Sequence, residues 1–420
     1  MRLAIHTLGT RGDVQPYVAL ARGLMAAGCD VVLAAAARFE GFVRARGIPF
    51  APLPDDFLDL MDTPEGRAAL SGRNTLTWTW RMVRRVRPMM RRLLDAQWAA
   101  AQGADAVIYH PKALGSVHIA ERLGIPAFCA FTLPGMTPTR AFPSPMLPFV
   151  DLGPLNRLSH EVFLRYANAL FRESVNRWRE EVLGLPPSRR DDCLHGVPVP
   201  RLYGFSPSVL PKPADWDRNS EVTGYWFLDN EDWVPPSSLQ GFLEAGPSPV
   251  YVGFGSIPSA DPMRTTAMVV EALAMAGQRG ILASGRGGLA AAPLADHVYV
   301  LDAAPHDRLF PHVCAVVHHG GAGTTAASLR AGKPTVICPF FGDQPFWGRR
   351  VAALGVGPGP IAFKHLTVAR LVEAITCAVD DDVMRRRAER LGARIRAEDG
   401  VGTAVTFILD RLATHGRSAA

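Results

Sequence analysis

Short apolar runs, each closed by a glycine turn and followed by a helical pattern, recur along this chain from its first residues. Leu3–Leu8 reads as a buried strand, Gly9-Thr10-Arg11-Gly12 as its turn, Val14–Ala27 as a helix and Val31–Ala35 as the next strand. Ala106–Tyr109 and Ala127–Phe131 continue the series. Strands that are apolar throughout, rather than alternating, belong to parallel sheets covered on both faces by their crossover helices. The plan starts again at Val250-Tyr251-Val252-Gly253-Phe254-Gly255-Ser256 and runs through Ile281–Ala283, Val298–Leu301, Ala315–His318 and Thr335–Cys338. The sequence therefore predicts an α/β protein of two Rossmann-like domains joined near residues 228–248. Ligands of such sheets bind at the carboxyl ends of the strands, so the expected site is a cleft between two facing domains.

Other classes fall away on composition. At 420 residues, 48% hydrophobic and 20% charged, the chain carries enough apolar surface for large cores, which disordered chains lack. A formal charge of +6 is a mild surplus, whereas nucleic-acid binding by charge alone needs basic clusters on one face. The six cysteines stand singly, with no CxxC pair for a zinc ribbon or a thioredoxin-type site. No signal-peptide layout precedes Leu3, and the longest uncharged stretch, Leu309–Leu329, holds a proline and glycines. A cytoplasmic protein is expected.

The middle of the chain is less regular. Phe131–Val150 holds five prolines with Met136 and Met146 among them. Long stiff loops in compact domains are often functional, and methionine adapts to irregular apolar shapes, so an apolar binding pocket is expected there. Helical pattern resumes over Glu161–Leu183. Thr75–Trp98 mixes six arginines with Trp and Met, and Pro88 interrupts its helical pattern. Such a segment is a solvated helix face, or a helix lying on a membrane surface.

The most informative motif is His318-His319-Gly320-Gly321-Ala322-Gly323-Thr324-Thr325, between a strand and a helix. Glycines admit a ligand close to the backbone, and a helix N-terminus offers free N–H groups and a positive dipole end. This is a diphosphate cradle without the GK[ST] ending of a nucleotide-triphosphate loop; the plainer alternative is a tight turn without a ligand. Downstream, Asp343 and Gln344 follow the next strand, where an acid and an amide can bind vicinal sugar hydroxyls.

Three segments together carry a family resemblance: Pro305-His306-Asp307, the His318–Thr324 motif, and Gly342-Asp343-Gln344. They resemble the donor signature of UDP-glycosyltransferase-type nucleotide-sugar glycosyltransferases of the GT-B fold. The similarity is greatest to sterol 3-β-glucosyltransferases and to bacterial enzymes that glycosylate antibiotics and other natural products. Gly9-Thr10-Arg11-Gly12-Asp13-Val14-Gln15-Pro16 is similar to the opening turn of the same group. The resemblance implies donor contacts from Gly12, Ser256, His306, His319, Gly321, Gly323, Thr324, Asp343 and Gln344. His319 would meet the diphosphate, Asp343 and Gln344 the sugar, and His306 would mark the base site. It further implies a UDP-sugar or dTDP-sugar as co-substrate, with no metal required. Where many plant relatives carry a Trp for the base and a Glu for the ribose, this chain has Ala303 and Ala327.

The resemblance also makes Asp13 the general base, while its position before Val14–Ala27 alone would suit a helix N-cap. His6, inside a strand, reads as a core histidine. His110, at the end of Ala106–Tyr109, is the better candidate for an acceptor contact, with Met136 and Met146. The expected organisation is an acceptor domain over 1–228, a nucleotide-sugar domain over 229–400, and a C-terminal helix over 401–420 packing back on the first. The expected activity is inverting transfer of a hexose, glucose as first choice, to a hydroxyl of an apolar acceptor. The competing classes are a Rossmann oxidoreductase, opposed by Gly9-x-x-Gly12 in place of GxGxxG, a non-catalytic sugar-nucleotide binder, and a sugar-nucleotide epimerase.

Overall fold

The structure, a computed structural model, describes residues 1–63, 75–148, 150–190, 192–230, 232–255, 261–284, 289 and 295–419. The contacts divide the chain into two units, one comprising Met1–Thr63, Thr75–Leu228 and Asp399–Ala420, the other Asp229–Glu398.

The first unit holds β1 (Arg2–His6), β2 (Asp30–Ala36), β3 (Phe50–Leu53), β4 (Ala106–Tyr109) and β5 (Ala127–Phe131). A short hairpin of β6 (Cys193–Leu194) and β7 (Val197–Pro198) precedes β8 (Arg201–Tyr203) and β9 (Ser220–Val222). Seven of these strands form one parallel sheet in the order β3-β2-β1-β4-β5-β8-β9. The second unit holds β10 (Val250–Gly253), β11 (Gly280–Ala283), β12 (Val298–Leu301), β13 (Ala315–His318) and β14 (Thr335–Ile337), paired in parallel in the order β12-β11-β10-β13-β14. In each sheet the order reverses beside the first strand, between β1 and β4 and between β10 and β13. Such a switch point opens a crevice at the strands' carboxyl ends.

Alternation along the strands divides each core in two. In β1, Leu3 and Ile5 join one apolar cluster, with Tyr17 and Leu20 of helix Arg11–Ala26 and Ile408 of helix Gly400–Ala419. Ala4 faces the other cluster, with Leu94 of helix Thr75–Ala100 and Val117 of helix Ser116–Leu123. Ile5 is fully buried, and enclosing a side chain of that size stabilises by about 1.5–3 kcal/mol. The C-terminal helix packs closely within this unit: a Cβ on Gly23 would lie 2.4 Å from Val401 Cγ1. The two crossings between units are marked by aspartates. Asp229 accepts from Arg330 Nη2 (2.8 Å) inside the second unit. Asp399 accepts from Gly402 N (2.8 Å) at the start of the C-terminal helix of the first.

Three local expectations change. The first helix begins at Arg11 rather than Val14, which makes Thr10 the N-cap and Asp13 its third helical residue. The basic helix continues through Pro88 as one element, Thr75–Ala100. The helix expected over Glu161–Leu183 starts earlier, at Asn156, and continues past Trp178 as a π-helical turn over Arg179–Leu183.

Candidate active site

Asp13 sits at the carboxyl end of β1, where the helix begins. Its Oδ2 accepts from the Thr10 backbone N–H at 2.9 Å and from Thr10 Oγ1 at 3.3 Å, half of a capping box. This close return needs Gly9: its φ is +138°, and a Cβ there would fall 2.1 Å from Asp13 Oδ2. Gly12 lies exposed in the helix's first turn with nothing nearer a Cβ than Thr10 Oγ1 at 3.9 Å. The glycine that frees the backbone is therefore Gly9, not Gly12.

The other oxygen, Oδ1, accepts from Lys112 Nζ at 2.9 Å. His110 Nε2 stands 3.3 Å from the same atom. His110 follows β4 and is buried, between Tyr17 (ring centroids 5.9 Å apart) and Phe131 (5.1 Å). The Lys112 backbone N–H donates to His110 Nδ1 at 3.0 Å, which leaves the proton of a neutral ring on Nε2, towards Asp13. Burial would raise the Asp13 carboxyl, but the Lys112 ammonium and His110 outweigh it and hold it well below the usual carboxylate range. His110 is itself lowered, by burial first and by Lys112, against the pull of Asp13. The result is a carboxylate kept charged and held by both oxygens.

His6 is fully buried, its Nδ1 paired with Ser116 Oγ at 2.9 Å and its pKa pushed down to about 4 by burial. That is a core histidine. Met136 packs half-buried against the second apolar cluster, and Met146 is also half-buried. The proline loop around them is tied down rather than free. Thr137 Oγ1 pairs with Tyr203 Oη (2.6 Å), Thr139 Oγ1 donates to Asp215 Oδ1 (2.6 Å), and the Ser144 N–H donates to Ser159 Oγ (2.8 Å).

In the second unit, His318 ends β13 fully buried, and the Gly320 N–H donates to its Nδ1 at 2.9 Å. His319 turns the other way, into a glycine notch. A Cβ on Gly321 would lie 2.5 Å from its Nε2, and one on Gly255, after β10, 2.8 Å from its Cε1. Burial lowers His319 to about 4, and its Nδ1 is buried without a hydrogen-bond partner among the described residues. An unsatisfied buried polar atom beside a notch only glycines permit fits a ligand with acceptor oxygens. Helix Ala322–Arg330 starts at Gly321 with no side-chain cap, so the N–H groups of its first turn are free to meet an anion. Gly323 and Thr324 lie in that turn, with open space beside Gly323.

Asp343 stands at the N-cap position of helix Gln344–Ala353 without a side-chain capping bond, and its Oδ2 accepts from Trp347 Nε1 at 2.9 Å. Gln344 is buried, with its Oε1 accepting from the backbone of Phe340 (2.8 Å) and Phe341 (3.3 Å). Its oxygen shapes the loop, and only its amide nitrogen is left to offer outward. His306 stacks on Phe310 with centroids 4.4 Å apart, and its Nε2 lies 3.4 Å from Tyr251 Oη. Asp307 receives two bonds from Asn230, from its N–H at 2.9 Å and its Nδ2 at 3.0 Å, a structural rather than a ligand-facing role. Ser256 lies outside the described residues. Lys112 is the participant that sequence reasoning missed. A lone lysine two residues after a histidine gives no signal until β1 and β4 are known to be neighbours.

Comparison with known proteins agrees with this architecture. Residues 3–143 match the glycosyltransferase family 28 N-terminal domain, and residues 280–406 match the erythromycin biosynthesis protein CIII-like C-terminal domain. A sterol 3-beta-glucosyltransferase of Aspergillus fumigatus is 43% identical over 97% of this chain, and that of Neosartorya fischeri is likewise 43% identical over 97%. The chain spans only 30% and 29% of the length of these fungal relatives. Among solved structures, the glycosyltransferase of kitacinnamycin superposes with a TM-score of 0.73 at 21% identity, covering 98% of this chain and 99% of that one. The calicheamicin glycosyltransferase CalG4 gives 0.72 at 20%, covering 100% and 99%. VinC, in complex with DTDP, gives 0.67 at 19%, covering 99% and 100%. With its two parallel-sheet Rossmann-like units the chain has the GT-B fold, and it carries a family 28-type N-terminal and an erythromycin CIII-like C-terminal glycosyltransferase domain.

Proposed function

We propose that this protein transfers a hexose, glucose as first choice, from a UDP-sugar to a hydroxyl of an apolar acceptor, such as a sterol or a polyketide-type natural product, with inversion at the anomeric carbon. The observation that carries the reading is the contrast in charge: a carboxylate kept ionised on one unit and a neutral, unsatisfied histidine in a glycine notch on the other. Asp13 takes the acceptor proton as the acceptor oxygen bonds to the anomeric carbon. The bond from that carbon to the diphosphate oxygen breaks, and the nucleoside diphosphate leaves with the electron pair. Donors already in place stabilise the charge of the leaving group, here His319 and the first-turn amides of helix Ala322–Arg330, so the step as proposed uses no metal. Asp343 and the Gln344 amide nitrogen would orient the sugar, and His306 would border the base. Lys112 keeps Asp13 charged and aimed until an acceptor hydroxyl takes its place at Oδ1.

The acceptor class rests on the sterol 3-beta-glucosyltransferase relatives and on the methionines of the proline loop. A dTDP-sugar is the second reading, favoured by VinC with DTDP and by SsfS6 with thymidine diphosphate. Calorimetric titration of UDP, dTDP and GDP with EDTA present, on wild type and His319→Ala, tests both. One nucleotide should bind and lose about ten- to hundredfold in affinity in the variant, as expected for a hydrogen bond to a charged group. Binding of none would sink the donor assignment.

A further inference from the structure

Exposed large apolar side chains are scattered singly on most proteins, but here they gather. Of the eleven among the described residues, five are Val150, Leu155, Leu158, Val162 and Tyr166. Leu158, Val162 and Tyr166 follow one another at four-residue steps along helix Asn156–Trp178 and are 50%, 55% and 51% exposed. With Leu155 they fall within an arc of about 80° at 3.6 residues per turn. Asn156 and His160, on the other side of the helix, are buried. We propose that this face of the helix docks the protein on an anionic lipid surface.

Charge argues for lipid as the occupant. Arg165 lies exposed beside the stripe. Glu173, farther along the same face, pairs with Arg87 of helix Thr75–Ala100 at 3.4 Å, which brings the basic helix to the stripe's end. Together the two helices carry ten arginines against three acids, a net of +7 where the whole chain has +6. Arg91 and Arg92 are taken up by Glu181 and Asp56, so the exposed Arg85 and Arg165 are what the two helices offer to an anionic surface. A narrow apolar row flanked by arginines, with a tyrosine whose hydroxyl can stay in water, is the layout of a helix lying in a bilayer interface. A specific protein partner ordinarily covers a broader patch, about 800 Å². Among the described residues no helix is long and apolar enough to cross a membrane, so the contact is peripheral. This inference is independent of the reaction catalysed.

Sedimentation of the full chain with phosphatidylcholine vesicles, with and without phosphatidylserine, tests it. Wild type should bind the phosphatidylserine vesicles and be released by salt. Leu158→Glu/Val162→Glu should lose binding about tenfold or more with an unchanged melting temperature. Arg85→Gln and Arg87→Gln should each weaken it up to about fivefold. No binding to either vesicle, equal binding to both, or unchanged binding by the double variant overturns the proposal. So does a wild-type dimer that the double variant dissociates, which would assign the face to a second copy of the chain.

Discussion

The crevice of the first unit and that of the second are built alike and finished oppositely. Each lies where strand order reverses, and each ends a central strand with a histidine whose Nδ1 receives a backbone N–H from two residues on, His110 from Lys112 and His318 from Gly320. In the first unit the space is filled by charge already neutralised, Asp13 with Lys112, and every oxygen of the carboxylate has a partner. In the second the space is lined by glycines, a neutral His319 and uncapped amides, and a buried nitrogen has no partner among the described residues. The same scaffold thus presents a charge pair where its loop supplies an acid, and open backbone amides where its loop supplies glycine. What differs is only which groups are left unsatisfied.

Removing the carboxylate should separate the two most sharply. Asp13→Asn is expected to cut turnover by about 10²–10⁴-fold, the usual worth of a positioned base, while nucleotide affinity measured by calorimetry stays at the wild-type value. A smaller effect is expected on the other side from Gly321→Ala. Gly321 has φ −61°, so alanine meets no backbone strain, but its Cβ would fall 2.5 Å from His319 Nε2 and swing the ring away. Nucleotide affinity should fall severalfold with little change in melting temperature. An unchanged affinity would show that the ring's position is immaterial.

The mildest change is Lys112→Met, which keeps the length and removes the charge. The ammonium lowers the Asp13 pKa, so without it the folded-state value rises. A base must be ionised to act; the acid limb of the turnover profile should therefore move to higher pH, by about one unit. Turnover well above that limb should be unchanged or faster, since the carboxylate becomes a stronger base. Lys112→Arg should restore the wild-type limb. A profile that does not move would mean that Lys112 does not tune Asp13.

Much of this was legible beforehand because it is local. Strand, glycine turn and helix follow one another within some twenty-five residues at Leu3–Ala27, so hydrophobic period alone places them, and the His318–Thr325 run carries its chemistry in consecutive residues. What was hidden depends on distant segments meeting. Lys112 reaches Asp13 across 99 positions. Arg179, buried and paired with Glu121 Oε2 at 2.8 Å and His118 Nδ1 at 2.6 Å, gave no sign in a sequence rich in exposed arginine. The ties of the proline loop to Tyr203, Asp215 and Ser159 were hidden too, since they are contacts between remote residues. Pro88 misled in the other direction: propensity breaks a helix there, and the helix runs on.

Because the helix Gly400–Ala419 belongs to the first unit, the second is an insertion within the first rather than its successor. Anyone exchanging the second unit between relatives must cut twice, at Leu228/Asp229 and at Glu398/Asp399, and return the last helix to its original owner. A hybrid joined once, near the middle, would leave Ile408 and Val401 of one parent against Gly23 and Leu20 of another. Its failure would then report a mismatched seam and say nothing about the sugar nucleotide.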